Sequence, residues 1–321
     1  RFAKLPELVA IAKPVAEAGG VIMSHLRSED DDAIGEALDE LIAQGKGSGA
    51  HVHVAHIKVV NGKGDQRAEE ILARMQRARD EGIELTADIY PYVASYTNIS
   101  IVFPAFAKPP HSYKKVVRTR RDELAEYLRK RIAKRGGPKA TLFGSGAYRG
   151  KTLAEVAQDA GKPFEDVLID DIGPGGMSAA YFVMDDALQT RLLADEHVMV
   201  GTDGASHSRH PRGHGTFAKV IAEYVNKRKT LSLEQAIHKM TWLAAQTIGL
   251  DELKRGRLRA GYKADIVVFD PAKVAAPATY DKPSRRAQGM DRVLVNGRSV
   301  WKDGKRTSTR PGRVLLRPKA K

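Results

Sequence analysis

The 321-residue sequence contains no cysteine. That absence excludes disulfides, thiolate nucleophiles and cysteine-held metal centres from these residues, and it fits a reducing compartment, with the cytoplasm as the expected location. Aromatic residues make up only 6%, and no base-stacking motif accompanies the basic stretches. The positive balance is therefore read as solvated surface, and no nucleic-acid partner is expected. No apolar run reaches the roughly 18 to 20 residues a membrane span needs, and Arg1-Phe2-Ala3-Lys4 shows no apolar signal-peptide core, so no membrane partner is expected either. A Gly-x-Gly-x-x-Gly fingerprint and a P-loop are both missing, which disfavours nucleotide binding.

What is present is an ordinary globular balance, 42% hydrophobic and 29% charged, enough for a large core. The net charge of +14 is uneven, with much of the excess in residues 108–139 and near the end of the chain. Short apolar runs alternate with amphipathic helical patterns: helix 3–18, strand 21–25, a helix carrying Ile34, Leu38 and Leu41, strand 52–57, helix 65–79, strand 83–89. This βαβ rhythm predicts a parallel sheet. It breaks near Val93 and resumes at Ala180 with strand 180–184, helix 186–194, strand 198–202, and helices 216–227 and 233–248, the last with Ser232 as its N-cap. After Gly249 the pattern turns to short strands and tight turns, with Asn296-Gly297 a hairpin signal.

The reading is α/β: a (β/α)8-type barrel portion over 1–250, an inserted lid over 96–180, and a small all-β module over 251–321. Six barrel-type strands are counted, near residues 21, 52, 84, 141, 181 and 198, where a closed barrel of this type needs eight. The barrel is expected to be incomplete at its N-terminal side, with a missing N-terminal segment or a second chain as a further partner.

His25 ends its strand, His56 nearly ends its own, and Asp203 follows the run Val198–Thr202. In a barrel these ends share one rim, and two imidazoles with a carboxylate are the ligand set of a zinc-type hydrolytic site. His51 and His53 form an H-x-H pair, but strand alternation sets them opposite His56, so they are read as structural and facing helices. Arg27, Lys58 and Arg212 each lie shortly after a candidate site residue, where a cation could hold an anionic group. His207, His210 and His214 share the Arg212 loop as lid or supporting groups, and Ser95 and Ser206 show no arrangement suggesting a Ser-His-Asp triad.

With these residues in view the chain resembles the amidohydrolase superfamily and, within it, the D-aminoacylases (N-acyl-D-amino-acid deacylases). The matching segments are Ser24-His25-Leu-Arg27-Ser-Glu29, Val54-Ala-His56-Ile-Lys58, Asp88-Ile-Tyr90-Pro91-Tyr92 followed by Ala94-Ser95, Gly201-Thr-Asp203-Gly204, His210-Pro211-Arg212, Lys239-Met240-Thr241 and Gly261-Tyr-Lys-Ala-Asp265. The resemblance implies a metal-dependent barrel with a small β-sandwich, whose C-terminal part is 251–321, and it implies His25 and His56 as zinc ligands and Asp203 as the acid/base close to, or ligating, the metal. It implies Arg27, Lys58, Tyr90, Ser95 and Arg212 as substrate-binding residues, and one or two Zn²⁺ ions as cofactor. The implied reaction is hydrolysis of a small N-acyl-D-amino acid to a carboxylic acid and a D-amino acid. A cyclic amidase of the dihydroorotase or hydantoinase kind is the alternative, as is an inactive fragment or subunit. The family's first-strand H-x-H pair and metal-bridging cysteine are expected to precede Arg1.

Overall fold

In a computed structural model, which describes residues 3–205 and 208–316, the chain opens with a helix, Leu5–Glu17, followed by strand β1 (Val21–Ser24). Helix Ile34–Ser48 leads to β2 (His51–Val54), and helix Gly64–Asp80 to β3 (Leu85–Ile89). The first of these two helices is closed by Gly49 at φ 72°, a left-handed C-cap that a side chain would strain. β1, β2 and β3 pair in parallel in sequence order.

At the end of β3 the chain leaves this sheet. β4 (Ala94–Asn98), β5 (Thr141–Phe143) and β6 (Ser178–Phe182) form a separate antiparallel sheet in the order β4-β6-β5. Two helices, Tyr113–Thr119 and Arg121–Lys134, pack with it around Phe103, Leu128, Phe143 and Tyr181. Helix Asp186–Ala194 then returns the chain to β7 (Val198–Val200), which pairs in parallel with β3. The parallel sheet is therefore four strands, β1-β2-β3-β7. The runs at 141 and 181, expected among the parallel strands, belong to the antiparallel layer instead. Short apolar runs read alike in both settings, and only pairing partners separate them.

The core of the parallel layer forms where Val52, Val54, Leu85 and Ala87 meet Leu38, Met75 and Leu188 from the covering helices. Burial of such side chains contributes about 25 cal/mol per Å² of apolar area, so the strand faces carrying these residues are fixed toward the helices. His51, His53, Thr86 and Asp88 consequently face the opposite side of the sheet. This corrects the placement of the H-x-H pair: β2 ends at Val54, so alternation cannot be extended to His56, which lies in the following turn at φ 44°.

Helix Arg212–Lys219 starts four residues earlier than its apolar pattern suggests and continues as a wider π-helical stretch, Val220–Lys227. Helix Leu233–Met240 begins with Ser232 in a capping box with Gln235 and breaks at Thr241 before Trp242–Thr247. The final layer is an antiparallel sheet of β8 (Ile266–Phe269), β9 (Met290–Val295), β10 (Arg298–Lys302) and β11 (Lys305–Arg306), with Asn296-Gly297 in the β9–β10 hairpin. Among the described residues no helix is long and apolar enough to cross a membrane.

Candidate active site

The turns that follow β1, β2 and β7 meet beside β4 in one cleft of about 270 Å³, whose lining includes His25, His56, Lys58, Ser95, Asp203 and Arg212. His25 Nδ1 and His56 Nε2 are 3.1 Å apart. Glu29 Oε1 lies 3.4 Å from His25 Nδ1 and 3.2 Å from His56 Nδ1. These three residues each offer a donor atom within 4.8 Å of the others. Asp203 lies outside that group, with its carboxylate 2.9 Å from Arg212 Nη1.

The donor set fits a zinc-type ion. Two nitrogens each about 2.0–2.1 Å from one tetrahedral ion stand about 3.3 Å apart, and the observed 3.1 Å is close to that. His56 Nδ1 faces both Glu29 Oε1 and Lys58 Nζ, the latter at 2.7 Å. A proton on Nδ1 would be donated to Glu29 and leave the Nε2 lone pair for a metal; a lone pair on Nδ1 would accept from Lys58 and put the proton on Nε2. A metal bound at Nε2 would select the first tautomer, with Glu29 as the acceptor on Nδ1.

Lys58, only 3% exposed, donates to Glu29 Oε1 at 2.5 Å. Burial alone would raise the Glu29 carboxyl, but the Lys58 ammonium and the His56 hydrogen bond outweigh it and hold it down at about 2. Burial also lowers the Lys58 ammonium, against the pull of Glu29. Tyr90 is buried between the two cations: the Arg212 guanidinium lies 4.6 Å and Lys58 Nζ 5.8 Å from its ring centre. Burial raises its phenol far above its ordinary value, so the group stays protonated, and its oxygen has no hydrogen-bond partner among the described residues. The two cations lie beside the Tyr90 ring, and cations so placed at a cleft suit an anionic oxygen.

Beneath the rim, Asp88 ties two strands together. Its Oδ2 pairs with His53 Nε2 at 2.8 Å, and its Oδ1 accepts the His56 backbone N–H at 3.1 Å. His53 Nδ1 and His51 Nε2 each meet the Thr86 hydroxyl at 2.8 Å, so both imidazoles are structural. His56 and Asp203, at φ 44° and 42°, sit in the left-handed region, where a side chain costs about 1–2 kcal/mol. The Asp88 bond offsets this at His56. Gly201 passes so close to Asp88 that a Cβ there would overlap the carboxylate.

His210 is fully buried. Its Nδ1 accepts the Arg212 N–H at 3.0 Å, which assigns the proton to Nε2, and Nε2 donates to the Ala94 carbonyl at 2.9 Å. It thus joins the Arg212 turn to β4 among the rings of Tyr90, Tyr92, Tyr96 and Tyr280. Arg27 lines the cleft, but its guanidinium grips Glu40 at 2.6 and 2.7 Å and the Ala3 carbonyl. The structure does not bring it to the two imidazoles. His214 is exposed on its helix, and Ser206 and His207 lie outside the described residues.

Sequence reasoning gave Glu29 and Asp88 no role beyond their place in the matching segments, and named His210 only as a lid or supporting group. Asp88 was findable as a charge on the face of β3 opposite Leu85, Ala87 and Ile89. Glu29 stands four residues after His25, and that spacing was the available signal.

The amidohydrolase family model matches residues 144–305. The D-aminoacylase of Alcaligenes xylosoxydans xylosoxydans is 34% identical over 316 residues, 98% of this chain and 58% of that protein. The N-acyl-D-aspartate deacylase of the same organism is 36% identical over 313 residues, 96% of this chain and 56% of that one. The crystal structure of N-acyl-D-glutamate deacylase from Bordetella bronchiseptica, complexed with zinc and a phosphonate mimic of the reaction's tetrahedral intermediate, aligns at a TM-score of 0.78 and 31% identity. That alignment covers 98% of this chain and 59% of the other. The chain thus spans less than two thirds of the length of these relatives.

Proposed function

Because this chain belongs to the amidohydrolase family, we propose that it carries the metal- and substrate-binding cleft of an enzyme that hydrolyses N-acyl-D-amino acids to a carboxylic acid and a D-amino acid. The observation that carries the reading is the 3.1 Å approach of His25 Nδ1 to His56 Nε2, with Glu29 beside them and Asp203 in the same cleft. In this reading β1, β2, β3 and β7 are part of a (β/α)8 barrel, the β4–β6 layer is the lid over its rim, and the β8–β11 sheet belongs to a β-sandwich.

His25 and His56 would hold Zn²⁺, and Glu29 would fix the His56 tautomer. When bound, the ion supplies Lewis acidity, acidifying a water and polarising the acyl carbonyl. Asp203 takes a proton from the attacking water at its carboxylate and later delivers it to the departing amine nitrogen, as general base and then general acid. Its ion pair with Arg212 directs the carboxylate and couples it to the anchor that holds substrate. Lys58 and Arg212, with the buried Tyr90 ring packed beside both, form a cradle for the substrate α-carboxylate, and Ser95 is on the wall of the same cleft.

The test is the hydrolysis of linear N-acetyl-D-amino acids and of 5-substituted hydantoins by the zinc-loaded full-length protein. Turnover of the linear amides is expected. Turnover of the cyclic amides alone would replace this reading with a cyclic amidase.

A further inference from the structure

The charged side chains lining the cleft do not cancel. Lys58 is paired with Glu29 and Arg212 with Asp203, while Arg27 is held by Glu40 outside the lining. Two more cations enter from the inserted layer, Arg131 from helix Arg121–Lys134 and Arg135 just beyond its end. They share one carboxylate. Arg131 Nη1 meets Asp30 Oδ2 at 2.8 Å, whereas Arg135 Nη1 stands 3.6 Å from Asp30 Oδ1, beyond hydrogen-bond reach.

Arg135 is also the least solvated of these cations. It is 2% exposed, its guanidinium lies 5.1 Å from the Tyr181 ring centre, and its Nε has no hydrogen-bond partner among the described residues. A buried guanidinium is costly unless its fork is filled, and the group that fills a planar fork best is a carboxylate. Ser95, Tyr96 and Thr97 of β4 line the same cleft as this pair, Lys58 and Arg212. The cleft therefore holds the paired Lys58 and Arg212 beside the imidazoles and a second, under-paired cationic group, Arg131 and Arg135, on the inserted layer.

We propose that Arg131 and Arg135 form a subsite for an anionic substrate side chain, so that the preferred substrate is the N-acyl derivative of an acidic D-amino acid. This rests on the deacylase reading above. The α-carboxylate occupies the Lys58–Tyr90–Arg212 cradle, the amide faces the imidazoles, and the side-chain carboxylate completes the Arg135 fork alongside Asp30. Hydrogen bonds to charged groups are strong enough for selection of about 10- to 100-fold over a neutral isostere.

The experiment compares kcat/KM of the zinc-loaded full-length protein for N-acetyl-D-glutamate and N-acetyl-D-aspartate with that for N-acetyl-D-glutamine, N-acetyl-D-leucine and N-succinyl-D-leucine. The expected result is a preference of at least about 10-fold for glutamate over glutamine, carried mainly in KM. Arg135→Met is expected to collapse that ratio and Arg135→Lys to restore part of it. If the buried substitution prevents folding, Arg131→Gln, at a partly exposed position, is expected to shrink the ratio in the same direction.

Equal or better turnover of N-acetyl-D-glutamine overturns the subsite. So does a ratio that survives substitution of both arginines. An equal fall for every substrate would make Arg135 an α-carboxylate anchor, and a preference for the N-succinyl substrate would place the anion on the acyl side; each contradicts the proposal. Turnover of neutral but not acidic substrates removes the subsite and leaves the deacylase reading intact. A complete lack of hydrolysis removes both.

Discussion

His210→Gln tests whether a neutral imidazole holds the Arg212 turn. Burial, followed by the nearby Arg212 charge, lowers His210 from 6.5 to about 3, so it is neutral across the working range. A freely solvated histidine in the unfolded chain titrates near 6.5. Between these two values the unfolded state binds the extra proton, so stability rises with pH across that window. The His210 contribution is present in full above about 6.5 and is lost progressively as pH falls toward 3. At about 1.4 kcal/mol per pH unit, moving the protein from pH 7 to pH 4.5 should cost about 2–3 kcal/mol through this one group. Urea unfolding of metal-free wild type and His210→Gln at both pH values isolates the effect. The glutamine can still donate to the Ala94 carbonyl but leaves the Arg212 N–H without its acceptor. At pH 7 the variant should be less stable by about 1–3 kcal/mol, and at pH 4.5 that gap should close or reverse. Parallel losses in the two proteins between pH 7 and 4.5 would refute the neutral-imidazole argument.

Glu29→Gln should weaken zinc binding by about 10- to 100-fold, because the amide no longer offers His56 a charged acceptor. Competition with a chromophoric chelator measures this, and an affinity within two-fold of wild type would remove Glu29 from its orienting role. Asp203→Asn should lower kcat by about 10²- to 10⁴-fold with a smaller change in KM, since the amide cannot shuttle a proton; steady-state turnover within a few-fold of wild type would assign the proton transfer elsewhere.

The parallel strands at residues 21, 52, 84 and 198 were legible because each is a short apolar run set between amphipathic helices. The strands at 141 and 181 look the same locally, and their antiparallel pairing with each other and with β4 depends on contacts far apart in sequence. Strand-end logic brought His25, His56, Lys58 and Arg212 to one cleft with Asp203. It failed at His53 because β2 stops short of His56, and at Arg27 because its partner Glu40 lies on the next helix. The burial of Lys58 and Tyr90 was also illegible, since enclosure arises only from packing between distant segments, among them the layer of β4–β6. Arg131 and Arg135 read as ordinary cations of a basic helix until that layer placed them in the cleft.

The most direct measurement is chirally resolved hydrolysis of a racemic N-acetyl amino acid by the zinc-loaded full-length protein, followed by zinc removal and restoration. The account predicts that free D-amino acid accumulates while the L substrate remains acylated, that chelation abolishes turnover, and that zinc restores it. Release of the L-amino acid alone, or turnover that persists without metal, would contradict it.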